Sequence, residues 1–291
     1  MATSLKSATK VVLRQVIPPS WEKSLRILSA RMVLSRVSHQ PCGSAPLLPA
    51  SQLDLPAIWH NSDIAADWER IAPQLNQLVP PSARGGVNPG DRKALFHLLR
   101  ALKPAHVLEV GTHVGFSTLH IAAALDENDT RADDTTAKAR LTTVDILDVN
   151  DPVKQPWRAY GLEYSPQGLL KTAGYADHTQ FVTGGSLEFL EQCDERFDFI
   201  FLDGSHAAPV VYQEVPKAIN ALNPGGVILL HDYYTNLEWL WENKNFIPGP
   251  CLAIQRLQAE GAELKVIPLG ELPWPTKENS NVTSLALLVR A

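Results

Sequence analysis

The run His106-Val107-Leu108-Glu109-Val110-Gly111-Thr112-His113-Val114-Gly115-Phe116-Ser117-Thr118 constrains the fold more than any other stretch of the chain. Its apolar opening suits a buried parallel strand. The pattern breaks at Gly111 and resumes with helical spacing at Phe116, Leu119 and Ile121. Strand, tight glycine turn and helix follow in that order. Gly111 and Gly115 carry no Cβ, so the backbone there can come close to a ligand. The helix start offers free N–H groups to a nucleotide or a carboxylate. A turn of this kind is equally compatible with plain structure; the segments that follow decide its meaning.

Leu141-Thr142-Thr143-Val144-Asp145-Ile146 reads as the next strand, with an acid near its end. A short strand over 179–182 leads into Gly184-Gly185-Ser186 and a helix over 187–192. Phe197 to Leu202 forms a strong strand signal that finishes in Asp203-Gly204-Ser205-His206. A helix over 210–222 and the turn Asn223-Pro224-Gly225-Gly226 precede the strand Val227 to Leu230, which ends in His231-Asp232-Tyr233-Tyr234. Upstream, helices are expected over 64–78 and from Asn88-Pro89-Gly90-Asp91 to Leu102; downstream, one over 251–259 is followed by terminal strands at 264–268 and 283–290. Residues 126–140 read as a polar surface loop. The alternation predicts an α/β fold, a doubly wound and mostly parallel seven-stranded sheet with an N-terminal helical extension.

The first fifty residues differ from the rest. They carry seven basic side chains against the single acid Glu22, so the body is more acidic than the whole-chain charge of -5. An acidic body argues against nucleic acid as a partner. Trp21, Leu25, Ile27, Leu28, Met32 and Leu34 could share one apolar helix face. Three readings stay open: a helix packed on the main domain or on a second copy in a homo-oligomer, a peripheral membrane-surface helix, and a targeting or disordered tail. Four prolines between 41 and 56 suggest a linker, dividing an extension over 1–56 from a main domain over 57–291. Cys42, Cys193 and Cys251 form neither a metal pair nor a disulfide framework, which favours a cytoplasmic location. No apolar run reaches the roughly 18 residues of a membrane span.

In doubly wound sheets, ligands sit outside the carboxyl ends of the strands. Here those ends carry Glu109/Gly111, Asp145, Ser186, Asp203/His206 and His231/Asp232. At these residues the sequence resembles a class I S-adenosylmethionine-dependent methyltransferase, of the branch acting on sugars and other small molecules. The resemblance rests on Glu109 to Thr112 with Gly115 to Thr118, on Asp145, on Phe199 to His206, and on Pro224-Gly225-Gly226 with His231-Asp232-Tyr233, and covers about residues 85–290.

The resemblance implies that Glu109, Gly111, Thr112, Gly115 and Ser117 surround the methionine part of the cofactor, with Glu109 alternatively bracing the turn. Asp145 would accept from the ribose hydroxyls, and Ser186 would lie by the adenine amine. Asp203 and His206 are the implied catalytic pair, His206 taking a proton from the hydroxyl of a small sugar or phenolic acceptor. Asp203, His231 and Asp232 are the implied ligands of a divalent cation such as Mg²⁺ or Mn²⁺. The histidine at 231 stands where metal-dependent relatives have an acid, which disfavours magnesium and leaves manganese, iron, zinc or no metal open. His113 and His120 read as structural or cofactor-flanking. Tyr233, Tyr234, Trp239, Trp241 and Phe246 suit either an acceptor wall or core packing. Competing classes are a metal-dependent hydroxylase, a cofactor-binding protein without transfer activity, and a nicotinamide oxidoreductase; the last lacks its G-x-G-x-x-G fingerprint.

Overall fold

The computed structural model describes residues 18–80, 82–83, 85–130, 138–277 and 279–291. Lys6, Lys10 and Arg14 of the basic extension lie outside the described residues, as does 131–137 within the expected polar loop. Helices α1 (Pro19–Leu34), α2 (Leu55–Trp59), α3 (Ser62–Leu78) and α4 (Pro89–Leu102) precede β1 (His106–Val110). Then come α5 (Phe116–Asp129), β2 (Arg140–Asp145), α6 (Pro166–Ala173), β3 (Thr179–Thr183), α7 (Ser186–Gln192) and β4 (Phe197–Leu202). The chain closes with α8 (Ala208–Asn220), β5 (Leu222–Leu230), α9 (Gly249–Ala259), β6 (Leu264–Pro268) and β7 (Ala286–Arg290).

The seven strands form one sheet in the order β3-β2-β1-β4-β5-β7-β6. Strands β1 to β5 pair in parallel, while β7 runs antiparallel to both β5 and β6. The order reverses at β1, between β2 and β4, which places the ligand crevice over the glycine turn. Alternate residues of the central strands feed two cores. Phe199 and Phe201 face one side with Leu95, Leu99 and Leu119. Phe197, Ile200 and Leu202 face the other with Tyr212, Val215 and Ile254. Burial on both faces explains why these strands read as continuous apolar runs.

Three expectations need correction. The polar loop begins later than expected, because Asp126 to Asp129 complete α5 and Asp129 then accepts the Ala139 N–H at 3.1 Å. The proline-rich segment is no free linker. Leu48 donates to Gly226 O at 2.8 Å and accepts from Arg290 N–H at 2.9 Å, so the segment pairs with the ends that β5 and β7 do not offer each other. Proline suits such a place because few ladder donors are needed. The apolar residues of α1 do not share one face. Positions 21, 25, 28 and 32 follow one helical stripe and 27 and 34 another. Leu34 is buried and Ile27 packs beside it, whereas Trp21 and Leu28 stay about two-thirds exposed at 68% and 65%. Residues 223–226 turn as expected, inside β5: the register jumps from Phe197 opposite Leu222 to Phe199 opposite Val227.

Candidate active site

A cavity of about 770 Å³ opens at the carboxyl ends of the parallel strands, lined by Gly111, Thr112, Ser117, Asp145, Ser186, Asp203, His206, His231 and Asp232. The sheet order thus gathers nearly all the sequence-predicted residues. Gly111 has φ +100°, and a Cβ there would fall 2.4 Å from Asp203 O. Any other residue would push β1 and β4 apart at the cavity floor. Gly115, at φ +80°, backs onto Pro166 of α6 instead. It shapes the turn without lining the cavity.

Glu109 is also absent from the lining. It is fully buried in β1, and its Oε2 accepts from the Thr118 and Thr143 hydroxyls, both at 2.6 Å. Thr112 extends the chain through Thr143, also at 2.6 Å. Burial pushes the Glu109 carboxyl up to about 7, against the pull of the neighbouring Ser117, Thr118 and Thr143 hydroxyls. It braces the turn from below, the alternative the sequence allowed.

Asp145 ends β2 and accepts from the His113 N–H at 2.8 Å and the Leu147 N–H at 2.9 Å. It ties the glycine turn to the next strand, and a carboxylate with two such bonds keeps lone pairs for further donors. Ser186 opens α7 and donates to Glu214 of α8, whose pKa burial raises. Its hydroxyl lone pairs remain as acceptors toward the cavity.

The polar cluster lies at the ends of β4 and β5. His206 Nε2 is 3.4 Å from Asp232 Oδ2 and 3.8 Å from Asp203 Oδ1. His231 Nδ1 is 2.7 Å from Asp203 Oδ1, a distance at which the ring must donate. Its Nε2 faces Asp91 of α4 at 3.5 Å. Burial alone would lower the His231 pKa, yet the charges of Asp203 and Asp232 and the bonds to Asp203 and Asp91 outweigh it and hold the pKa well above the ordinary value. The surrounding carboxylates thus favour the charged form of His231. Asp232 adopts φ +53° and accepts from Ser284 at 3.3 Å.

The donor atoms of Asp203, His206 and His231 lie within 4.8 Å of one another, close enough to meet one ion. This trio differs from the expected one by containing His206 in place of Asp232. To join such a set, His231 would give up the bond between Nδ1 and Asp203, because a ligating ring nitrogen is unprotonated.

Sequence reasoning missed Gly85, Gly86 and Val87, which line the cavity from the segment ahead of α4. The glycine pair was the available signal: added Cβ atoms would meet the Tyr160 ring at 2.3 Å and the Phe116 ring at 2.5 Å. Asp91 was seen only as a helix opener. His120 is structural, bonded to Phe116 O at 2.7 Å, its pKa lowered to about 3 by burial. Of the aromatic group, Tyr233, Tyr234, Trp241 and Phe246 belong to the buried core, with Trp239 packed against it, and none lines the cavity. Core packing was the correct alternative.

A doubly wound sheet closed by an antiparallel β7, with its cavity over a β1 glycine turn, defines the class I methyltransferase fold. Residues 108–233 match the family model described as a methyltransferase domain. A "Putative O-methyltransferase" of Mycobacterium sp. (strain JLS) is 28% identical over 148 residues, 50% of this chain and 57% of that protein. Tapetum-specific methyltransferase 1 of Arabidopsis thaliana is 24% identical over 182 residues, 60% of this chain and 66% of that protein. The chain thus spans less than two thirds of either relative. The crystal structure of the O-methyltransferase TomG from Streptomyces achromogenes, in complex with SAM, superposes with a TM-score of 0.50. At 17% identity, over 80% of this chain and 91% of that one, it is a likeness of fold.

Proposed function

We propose that this protein transfers a methyl group from S-adenosylmethionine to a hydroxyl of a small metabolite. The observation that carries the reading is the convergence of the Gly111 turn, Asp145 and the Asp203–His206 pair on one cavity. Its volume suits a cofactor together with a small acceptor. Thr112 and the first-turn N–H groups at Ser117 would receive the methionine carboxylate, and the spare lone pairs of Asp145 the ribose hydroxyls. Ile146 lines the same cavity with 77% of its surface exposed, an apolar face that a purine ring would cover. Ser186 accepts from the adenine amine.

Bound there, S-adenosylmethionine would supply an electrophilic sulfonium methyl, which the acceptor oxygen would take as the carbon–sulfur bond breaks and S-adenosylhomocysteine leaves. His206 Nε2 takes the hydroxyl proton, and the carboxylates of Asp232 and Asp203 stabilise the imidazolium so formed. His231, biased toward its charged form, lies against Asp203 and leaves Asp232 to His206. No step runs through a metal.

The relatives' names and the fold of TomG support the same reading. Calorimetric titration with S-adenosylhomocysteine and with NAD tests it. Binding of the first alone is expected; NAD binding in its place would return the chain to the oxidoreductases. Oxygen uptake with any acceptor would instead identify a hydroxylase.

A further inference from the structure

Helix α1 carries apolar side chains on two opposite faces, and the body uses one of them. Leu34 is buried, Ile27 packs beside it, and Lys23 reaches Glu238 at 2.7 Å and lies over the Trp239 ring. Arg26 Nη1 donates to Phe246 O at 2.9 Å. Just past the helix end, Val37 O accepts from Arg256 Nη2 of α9, also at 2.9 Å. These bonds hold α1 on the body as a ridge, which cannot roll its outer face inward without breaking them. That outer face is Trp21, Leu25, Leu28 and Met32, each more than half exposed. At about 100° per residue the four fall within about 60° of one another, across the helix from Lys23, Ile27 and Leu34. Single exposed apolar residues are ordinary, whereas a contiguous stripe on a fixed helix marks a contact surface.

Charge selects what the stripe contacts. Exposed Arg31 borders it, and Arg36, also exposed, follows at the helix end. The acid of the helix, Glu22, is engaged by Arg26 at 2.8 Å. Ahead of α1 the sequence adds Lys6, Lys10 and Arg14 with no acid, while the chain beyond residue 50 is net acidic. Attraction to an anionic surface is therefore concentrated at this end of the chain. Pairing of the stripe with its own copy would gather the same basic groups along one seam, where like charges oppose it. A tryptophan at the start of the stripe suits the headgroup level of a bilayer.

We propose that α1 lays its 21/25/28/32 stripe into the surface of an anionic phospholipid bilayer, as a peripheral contact. No α1 residue lines the catalytic cavity, so this surface is separate from the site of methyl transfer.

The test is flotation of the full chain with vesicles of phosphatidylcholine alone and of phosphatidylcholine mixed equally with phosphatidylglycerol. Partition into the anionic vesicles should exceed that into the neutral ones at least about tenfold. Leu28→Glu, and independently Trp21→Ser, should each weaken the anionic partition at least about tenfold, by removing an exposed apolar group from the stripe. Val153→Glu makes the same charge change at another exposed apolar residue, in the loop after β2, and should keep the parent's partition within about twofold. Absence of vesicle binding, equal binding to both compositions, binding that survives Leu28→Glu and Trp21→Ser, or a comparable loss in Val153→Glu would each overturn the proposal. Sedimentation velocity without vesicles is the companion measurement, with one species of the same size expected for the parent and for Leu28→Glu. A larger species in the parent that Leu28→Glu dissolves would give the stripe to a second copy and overturn the membrane contact.

Discussion

Replacing Glu109 by glutamine separates a brace from a cofactor ligand. The Glu109 carboxyl is raised from 4.5 to about 7, burial being the largest cause. Between those values the folded chain holds a proton that the unfolded chain has lost. Stability attributable to this group therefore falls as pH rises through that window and stays reduced above it. Each pH decade within the window is worth about 1.4 kcal/mol. From pH 5 to pH 8.5 the ionisation of Glu109 should withdraw on the order of 2–3 kcal/mol from the folded state, a large share of the 5–15 kcal/mol typical of a domain.

Glutamine cannot ionise, so the stability of Glu109→Gln relative to the parent should climb by on the order of 2–3 kcal/mol across the same range. Its carbonyl can still accept from Thr118 and Thr143. The new amide donors enter at Oε1, which is buried without a hydrogen-bond partner, and an unsatisfied donor there costs about 1–3 kcal/mol at every pH. That constant offset is why the pH swing, and not the stability at one pH, is the informative quantity. Urea unfolding of both proteins at half-unit steps from pH 5 to 8.5 reads it directly. A stability difference that does not change with pH would refute the assignment of a buried, neutral-favouring carboxyl. Because Glu109 does not line the cavity, affinity for S-adenosylhomocysteine should stay within about threefold at pH 7, less than one kcal/mol. A tenfold loss would restore Glu109 to the cofactor contacts.

The other predictions concern the cavity. His206→Gln should lower turnover about 10²- to 10⁴-fold with cofactor affinity intact, as single-turnover rates and calorimetry would show; weakened cofactor binding would remove its role as base. Asp145→Ala should do the reverse, weakening S-adenosylhomocysteine by at least about tenfold through two lost ribose bonds, and unchanged affinity would refute the ribose assignment. Turnover should survive dialysis against EDTA within about twofold, because His231, biased toward its charged form, lies against Asp203; activity lost to the chelator and restored by Mn²⁺ or Zn²⁺ would show that His231 yields its proton to a metal.

What the sequence revealed and what it concealed follow from the range of the interactions. The β1 turn, the acid of β2 and the polar ends of β4 and β5 were legible because each is a local signal, a glycine or a charge placed where an apolar run stops. Strand alternation then brought them to one edge without further information. The fate of Glu109 was not legible. Its neighbours Thr118 and Thr143 come from α5 and β2, 9 and 34 residues away in sequence, and only their convergence turns a strand-end acid into a buried brace.

His231 shows the same limit more sharply. Read along the chain it is one more metal-type residue beside Asp232. Its charge state is fixed by Asp203, 28 residues earlier, and by Asp91, on a helix that precedes the central strand. Asp91 is itself held by the Thr283 hydroxyl at 2.6 Å, from the segment leading into β7. A ring so enclosed is biased toward its charged form, while Asp203 and Asp232 keep the positions that resemble a metal site. The departure at 231 and the likeness at 203 and 232 thus belong to one cluster, assembled from residues distant in sequence.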